Sequence, residues 1–268
     1  MQLIVTALDC EARPLLDHYR LRASTHTNPF RIYQNTHTTL IVSGMGRVNA
    51  AAASAYLAAL VGPGIHHWLN IGIAGQREYP IGSAWLAQHI SSSATTHHWY
   101  PPIVFERTCP SATICTVDQP ELTYPSSAIY EMEAAGFYAT ATRFSSGELV
   151  QCLKVISDNA EYPAARLRPN HVSQLIESAL EPIHATLCTL NDLALELQHV
   201  EQFQSLPKLP WRMSVSQQHQ LRELLRRYRV RFGMDAEITL SAYQNAKECL
   251  QALNQQLQHS QQSLCDSF

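Results

Sequence analysis

Two hydrophobic patterns alternate along most of the chain. Short, continuous apolar runs, typical of strands that are buried on both faces, occur at residues 3–8, 31–34, 38–43, 67–73, 84–90, 112–117 and 149–156. Stretches with helical spacing or many alanines lie between them, at residues 9–19, 43–60, 126–142 and 171–198. Because strands alternate with helices, the pattern predicts an α/β fold with a central mixed, mostly parallel sheet flanked by helices.

The pattern changes after about residue 198. The remaining segment is rich in glutamine and contains LPKLP, which is typical of a linker, and no strand pattern follows it. SVSQQHQLRELLRRYRVRF then predicts a helix with Ser214 or Ser216 as its cap, and a second helix is expected over about residues 236–258. We therefore predict two domains, 1–198 and a helical C-terminal extension, 199–268.

The first helix of this extension carries an apolar stripe that is too large to leave in water. The stripe consists of Leu221, Leu224, Leu225 and Tyr228. We expect it to dock on the larger domain or across a subunit boundary, with the basic side chains on the outer side of the helix. Those side chains are Arg222, Arg226 and Arg229.

Composition excludes several classes of protein. With 268 residues, 46% of them hydrophobic and 15% charged, the chain is long enough for a large core, and extended disorder is not expected. The start of the sequence lacks the basic segment of a signal peptide, and no apolar stretch approaches the roughly 18 residues that span a membrane. Seven dispersed cysteines without a CxxC motif indicate reduced thiols and therefore a cytoplasmic protein.

Neither the histidines nor the charge pattern points to a metal or to nucleic acid. Thirteen histidines are present, but no HExxH motif or Cys/His cluster has ligand spacing, so no metal site is expected. The net charge is −3. Residues 208–231 contain seven Lys or Arg and one acid, Glu223, a pattern more typical of the solvated face of an amphipathic helix than of a nucleic-acid arm. We expect no cofactor and no nucleic-acid or membrane partner.

Polar and glycine-rich residues follow several of the predicted strands. Glu11 follows the first strand, a Gly-Met-Gly turn follows residues 38–43, Gly75 follows residues 67–73 and Asp158 follows the last strand. Glu133 lies at the start of, or within, a helix of small residues. Ligand-binding groups in doubly wound sheets lie just beyond the carboxyl ends of strands. Each feature also has an ordinary structural explanation, because an acid after a strand commonly caps a helix and such glycines commonly form tight turns.

Taken in order, these motifs resemble those of the nucleoside phosphorylase and nucleosidase superfamily, especially the methylthioadenosine/S-adenosylhomocysteine nucleosidases. The resemblance covers about residues 1–195 and is carried by TALDCEARPLL, VSGMGRVNAAAA, NIGIAG, YEMEAAGFY and LKVISDN. It implies a phosphorylase/hydrolase-like fold, no cofactor, and cleavage of the N-glycosidic bond of a purine-type nucleoside. A homo-oligomer with this nucleoside as its small-molecule partner is expected.

The resemblance also implies residue roles. Asp158 matches the family's general acid, which neutralises the leaving base. Glu11 matches the residue that positions or deprotonates the attacking water. Glu133 matches the carboxylate that binds the ribose hydroxyls, with Met132 against the sugar face. The other candidate substrate-binding residues are Ala74, Gly75, Gly46 and Ser157.

The nucleophile and the catalytic competence of the site stay open at this point. The hexameric phosphorylases of the family carry a phosphate-binding arginine where this chain has Leu69 and Asn70, which favours hydrolysis. Arg47, at a helix N-terminus, is a candidate anion-binding residue, so a phosphate-dependent phosphorylase is the alternative. The segment 82–131 is shorter than in the family, and its Gly-Asp-x-Phe element is reduced to VDQP, which leaves a non-catalytic nucleoside-sensing module as a third interpretation.

Overall fold

The computed structural model describes residues 1–25, 27–204, 209–232 and 240–265. The chain divides into two compact units, Met1–Leu195 and Glu196–Phe268. That division and the sequence-based boundary at residue 198 both lie within one long helix, Leu180–Gln204. No helix among the described residues is long and apolar enough to cross a membrane.

The first unit combines strands and helices in the alternating order that the hydrophobic pattern predicts. Its strands are β1 (Gln2–Thr6), β2 (Arg22–Ala23), β3 (Arg31–Gln34), β4 (Thr38–Val42), β5 (His67–Gly75), β6 (Ala84–Ser92), β7 (Thr95–Trp99), β8 (Ser111–Thr116), β9 (Ile129–Glu131) and β10 (Val150–Asp158). Its helices are α1 (Asp9–Tyr19), α2 (Arg47–Val61), α3 (Ala134–Ala141), α4 (Pro169–Ser178) and α5 (Leu180–Gln204), which continues into the second unit.

One mixed sheet connects all of these strands. Its order is β10-β6-β8-β9-β5-β1-β4-β3-β2, with β7 on β6, and an additional β10–β5 pairing closes five of the strands into a ring. The mixed α/β class is confirmed. The predicted predominance of parallel pairs is corrected, since five strand pairings in the described residues are parallel and five are antiparallel. Three of the antiparallel pairings, β2–β3, β3–β4 and β6–β7, join strands that follow one another in the sequence. The other two are β6 with β10 and β9 with β5.

Helices cover both faces of the sheet, which explains the continuous apolar runs. In β1, Leu3 and Val5 face the core beneath α2 and α3, whereas Ile4 faces the core beneath α1, α4 and α5. Successive strand residues point to opposite faces, so a strand covered on both sides must be apolar at every position. The buried residues of β10 divide between the same two cores.

Two predicted helices differ from the structure. Residues 126–142, predicted as one helix, form the short strand β9 followed by α3, because β9 pairs with the distant strands β8 and β5. Residues 171–198, predicted as one helix, are divided between α4 and α5. The break lies at Ala179, whose N–H donates to the carbonyl of Ile176, and Pro182 in the first turn of α5 suits a new helix start.

The second unit forms a small core of its own. It contains α6 (Val215–Phe232) and α7 (Ala246–Cys265), the latter beginning later than predicted, and the intervening residues 233–239 lie outside the described ones. The amide N–H of Gln217 donates to the Ser214 hydroxyl (3.2 Å), and the Ser214 amide donates to the Gln217 side chain (2.9 Å). This capping box selects Ser214, rather than Ser216, as the cap.

The apolar stripe of α6 packs within this unit. Leu221 and Leu225 are buried in one cluster with Cys249 and Leu253 of α7, and Leu224 and Tyr228 pack against it. The stripe therefore has a partner inside the extension itself, where the sequence predicted docking on the larger domain or a second subunit. Arg222 is exposed as expected, and the side chains of Arg226 and Arg229 lie outside the described part of the chain.

Candidate active site

A cavity of about 290 Å³, the strand-end cavity, lies at the carboxyl ends of β1, β5 and β10. These strands are parallel to one another, so the polar groups that follow them converge at one edge of the sheet. Seven residues predicted from the sequence line this cavity: Glu11, Ala74, Gly75, Met132, Glu133, Ser157 and Asp158.

Asp158 ends β10 with a carboxyl group held from two sides. Oδ1 accepts a hydrogen bond from the Ser157 hydroxyl (2.5 Å), and Oδ2 accepts one from the Tyr124 hydroxyl (2.6 Å). Gly75 lies directly beneath, and a Cβ at its position would collide with the Asp158 carboxylate and the Tyr124 ring. A side chain at residue 75 would therefore displace the carboxyl group from the cavity wall.

Glu11 lies in the first turn of α1, with its carboxylate fixed by backbone amides. Oε2 accepts hydrogen bonds from the N–H groups of Ala7 and Leu8 (2.9 Å each), and Oε1 accepts one from Ile73 (3.0 Å). Burial raises the pKa of Glu11 above its ordinary value, although these bonds and the Lys154 ammonium act in the opposite direction. The group is thus tied to the ends of both β1 and β5.

Glu133 immediately precedes α3 and faces the turn that follows β4. Its Oε1 accepts a hydrogen bond from the Gly46 N–H (2.7 Å), and Gly46 has φ +98°, a conformation that favours glycine. Burial raises the pKa of Glu133 to about 7, with Lys154 opposing the shift and the charges of Glu131 and Glu11 adding to it. This carboxyl group therefore titrates near neutral pH.

Beneath these groups lies a buried ion pair that the sequence analysis did not identify. Lys154 Nζ is 2.8 Å from Glu131 Oε2, and both side chains are 0% exposed. Glu131 also accepts hydrogen bonds from the Thr116 hydroxyl (2.5 Å) and from the amides of Glu133 (2.9 Å) and Ala134 (2.8 Å). Burial opposes ionisation of both partners, but their attraction holds the pKa of Glu131 below, and that of Lys154 above, the ordinary value.

The charges around the floor of the cavity are unequal. Glu11, Glu131 and Glu133 supply three buried carboxyl groups, and the buried Lys154 ammonium lowers the pKa of each of them. A Cβ at Gly72 would lie 3.1 Å from Glu11 Oε1 and 3.3 Å from Lys154 Nζ, so these two groups also lie close together. With all three carboxyl groups ionised, the floor is net negative and favours positive charge on a bound molecule.

The other two predicted residues lie beside the cavity rather than in its lining. Gly46 does not line the cavity, but its N–H donates a hydrogen bond to the Glu133 carboxylate, which does. The Arg47 Nε is 2.9 Å from Asp118 Oδ1, so its guanidinium has a carboxylate partner, and anion binding by Arg47 stays a prediction. The Arg47 carbonyl packs on Gly136, where a Cβ would collide with it, which explains the glycine at this position of α3.

Two residues of the site, Tyr124 and Lys154, escaped the sequence analysis, and Glu131 was present there only within the motif YEMEAAGFY, without a role of its own. A signal existed for Lys154, since a lysine within an apolar strand must have a buried partner. Tyr124 lies in an irregular loop, where its φ is 46°, and no pattern in the sequence indicated that it belongs to the site. The part of the chain that the structure describes contains no group of three or more His, Cys, Asp or Glu side chains that could hold a metal ion.

No protein-family model matches the sequence, and no curated protein matches it significantly. Solved structures match its fold. The 5′-methylthioadenosine/S-adenosylhomocysteine nucleosidase of Helicobacter pylori, bound to butyl-thio-DADMe-Immucillin-A, has a TM-score of 0.57 at 16% identity and covers 72% of this chain and 97% of its own. The corresponding enzyme of S. pneumoniae, with a transition-state inhibitor, has a TM-score of 0.57 at 18% identity, covering 71% and 100%.

A third solved structure of similar fold is that of a different hydrolase. Futalosine hydrolase of Helicobacter pylori has a TM-score of 0.56 at 16% identity and covers 72% of this chain and 97% of its own. At such identities the likeness shows the fold alone. The chain therefore has the fold shared by these nucleosidases and this hydrolase, as the resemblance of its motifs implies.

Proposed function

We propose, from this fold and the carboxylates of the strand-end cavity, that the protein hydrolyses the N-glycosidic bond of a purine-type nucleoside. The observation that carries the proposal is that Asp158, Glu11 and Glu133 line one cavity, each held by hydrogen bonds from different elements. Hydrolysis of such a bond needs an acid for the leaving base, a base for water and negative charge beside the sugar.

Each carboxyl group has one task in this reaction. As the bond between C1′ and the base nitrogen lengthens, the sugar becomes positively charged and the base negatively charged. Asp158 gives its proton to the base, which leaves neutral. Glu11 takes a proton from water as the water oxygen bonds to C1′. Glu133 accepts hydrogen bonds from the ribose hydroxyls, and Met132 contacts the sugar face. The products are the free base and the free sugar.

The surroundings of these groups support the same assignment. The excess of carboxylates over the single Lys154 ammonium stabilises positive charge on the sugar as it develops. The Glu131–Lys154 pair also fixes the backbone amide of Glu133, because Glu131 accepts its hydrogen bond (2.9 Å). We assign Glu131 and Lys154 to positioning, since both side chains are fully buried.

Water as the nucleophile gives the first test of the proposal. Free sugar and free base should appear in phosphate-free buffer, and adding phosphate should leave the rate unchanged, because the Arg47 guanidinium is paired with Asp118. The products are separated by chromatography. Arsenate, which replaces phosphate in phosphorolysis, is added in a parallel reaction and should likewise leave the rate unchanged. A strict requirement for phosphate, with sugar 1-phosphate as product, would establish the phosphorylase alternative instead.

Glu133 gives a prediction about pH. Its carboxyl group has a pKa of about 7, raised mainly by burial, and only its ionised form supplies negative charge to the sugar. We therefore expect kcat/KM to rise with pH through about 7, as Glu133 loses its proton. Glu133→Gln should lower kcat/KM and remove this rise, measured as pH profiles of both proteins. A rise that persists unchanged in Glu133→Gln would assign it to another group.

The assembly and location belong to the same proposal. We propose a cytoplasmic homo-oligomer in which residues 1–198 carry the site and residues 199–268 form the accessory unit. Met45, in the cavity wall, and Val48 are 58% and 72% exposed, and apolar groups beside a binding site commonly mark an interface. The reduced state expected of the dispersed cysteines supports the cytoplasm.

A further inference from the structure

The loop between β8 and β9 turns inwards at one residue, Tyr124. Its side chain is 1% exposed, although the same loop contains exposed residues such as Leu122. The Tyr124 ring packs with Ala128 and Tyr130 in a small cluster, and Val117 packs against it. Its backbone φ of 46° is uncommon for a side chain of this size. Such a conformation persists only where the surroundings hold it, which indicates that Tyr124 makes a specific contact.

That contact is the hydrogen bond to Asp158. The Tyr124 hydroxyl donates to Oδ2 at 2.6 Å, across 34 positions of the sequence. Both residues are buried, and a hydrogen bond to a carboxylate is stronger in such surroundings than in water. The walls of the strand-end cavity include Asp158 but not Tyr124. Tyr124 therefore acts on a bound molecule through Asp158.

Gly75 leaves the space that this pair occupies. A Cβ at residue 75 would lie 2.6 Å from Cε1 of the Tyr124 ring and would collide with Oδ2 of Asp158. Gly75 ends β5, where it pairs with Asp158 of β10 and with Tyr130 of β9. The sheet thus brings the end of β10 next to the strand that follows the Tyr124 loop, and the contact does not depend on the loop alone.

The two hydroxyls that hold Asp158 differ in their other contacts. The Ser157 hydroxyl donates to Oδ1 (2.5 Å) and also lies 3.3 Å from the Ala74 carbonyl, which is a second acceptor. Ser157 can therefore turn to Ala74 when Oδ1 carries a proton. The bond from Tyr124 to Oδ2 fits both protonation states of the carboxyl group, because Oδ2 carries no hydrogen in either. The acidic proton is thus assigned to Oδ1.

Tyr124 itself is a hydrogen-bond donor and not the acid. Burial, followed by the hydrogen bond and the charge of Asp158, raises the pKa of Tyr124 above its ordinary value, so the phenol stays protonated at neutral pH. A phenol donates a stronger hydrogen bond to a carboxylate than to a carboxylic acid. The bond therefore strengthens as Asp158 loses its proton, and an interaction that is stronger in the transition state raises kcat.

We propose that Tyr124 is a positioning residue for the general acid: it holds Oδ2 of Asp158, so that Oδ1 delivers the proton, and it stabilises the carboxylate that remains. This inference rests on the proposed function, because Asp158 is assigned as the acid there. The proton passes from Oδ1 to the base as the C1′–N bond breaks, and the electron pair of that bond stays with the base. Residues 117–128, within the segment that is short for the family, thereby complete the site.

A double-mutant cycle tests whether Tyr124 acts through Asp158. Tyr124→Phe keeps the ring and should lower kcat by about tenfold or more, the scale of one hydrogen bond to a charged group, with KM little changed. In the Asp158→Asn background the same substitution should leave kcat unchanged, because no proton is delivered there. Relative to an active wild type, an unchanged kcat of Tyr124→Phe, or equal losses in both backgrounds, would overturn the proposal.

Tyr56→Phe is the matched control for this cycle. The Tyr56 hydroxyl also donates a hydrogen bond to a side chain, that of Asn28 (2.9 Å), but Tyr56 does not line the strand-end cavity. The control should keep wild-type kcat. A melting curve of each variant confirms that the proteins compared are folded.

Binding of two C-nucleosides separates this inference from the proposed function. Besides N9, which bonds the sugar, the imidazole ring of a purine has one nitrogen, N7, that can take the proton. 9-Deazaadenosine carries a hydrogen on N7 that the Asp158 carboxylate can accept, and its furo[3,2-d]pyrimidine counterpart has an oxygen there instead. Neither is hydrolysed, because a carbon atom bonds C1′. Calorimetry therefore gives the dissociation constants of both, and their ratio measures the contact with Asp158.

The wild type and Tyr56→Phe should prefer 9-deazaadenosine, and Tyr124→Phe should lower this preference by about tenfold. If the wild type hydrolyses no nucleoside but the preference falls in this way, hydrolysis is wrong and Tyr124 still positions Asp158. If Tyr124→Phe keeps the full preference, or if neither analogue binds, the role of Tyr124 is wrong whatever the wild type cleaves.

Discussion

Asp158→Asn should lower kcat for nucleoside cleavage by about 100-fold or more, the scale of general-acid catalysis. An amide cannot deliver the proton that neutralises the departing base. The substitution nevertheless preserves the shape of the side chain, so the amide oxygen still accepts a hydrogen bond from one of the two hydroxyls, Ser157 or Tyr124, that hold the carboxyl group. Loss of activity with an intact fold is therefore the expected result.

The measurement is the release of free base at matched protein concentration, with a melting curve to confirm folding. Asp17→Asn is a suitable control, because Asp17 is an exposed carboxylate of α1 that does not line the strand-end cavity. The control should keep wild-type kcat. If Asp158→Asn cleaves any accepted nucleoside at nearly the wild-type rate, Asp158 is not the acid and the mechanism proposed here is wrong.

The fold was predictable where the signal was local. The apolar run of residues 3–8 predicted β1, and DCEARPLLDHY predicted α1 with its bounds. Both signals, an unbroken apolar run and a helical spacing of apolar residues, depend only on residues that are neighbours in the sequence. The strand β9 was not predictable in this way. Its three residues are extended because β8 and β5 pair with them, and those partners lie far away in sequence.

The site was predictable as far as its motifs extend. Asp158, Glu133 and Glu11 follow strands or lie in motifs with a family resemblance, and the fold brings them to one cavity. Tyr124 is different, since its hydroxyl reaches Asp158 across a loop whose course depends on tertiary packing. Arg168 likewise reaches the cavity only because α4 packs on α1, and no sequence pattern specifies that contact.

The ion pair beneath the site leads to the largest expected change in stability. Lys154→Met leaves the Glu131 carboxyl group fully buried and without its counter-ion, and it also removes the positive charge that lowers the pKa values of Glu11 and Glu133. Breaking a buried ion pair by removing one partner typically costs about 3–5 kcal/mol of unfolding free energy. We expect a loss of that size for Lys154→Met, measured by denaturant unfolding at neutral pH.

A double variant separates the ion pair from simple packing. Glu131→Gln combined with Lys154→Met removes both charges and keeps the hydrogen-bonding side chain opposite Thr116, so it should be more stable than Lys154→Met alone. If the two variants are equally unstable, lost packing around Lys154 explains the change and the pair contributes little.

The pH dependence of Lys154→Met supplies a further check with a definite sign. Without Lys154, burial raises the pKa of Glu131 in the folded protein above its unfolded value. The free-energy cost of burying ionised Glu131 is then complete at pH values above its pKa in the folded protein. It disappears at pH values below its pKa in the unfolded chain, because a protonated carboxyl group needs no counter-ion. The stability deficit of Lys154→Met relative to the wild type should therefore shrink as the pH falls, and that of the double variant should shrink less. A deficit of Lys154→Met that is constant across acidic and neutral pH would show that the loss is not electrostatic.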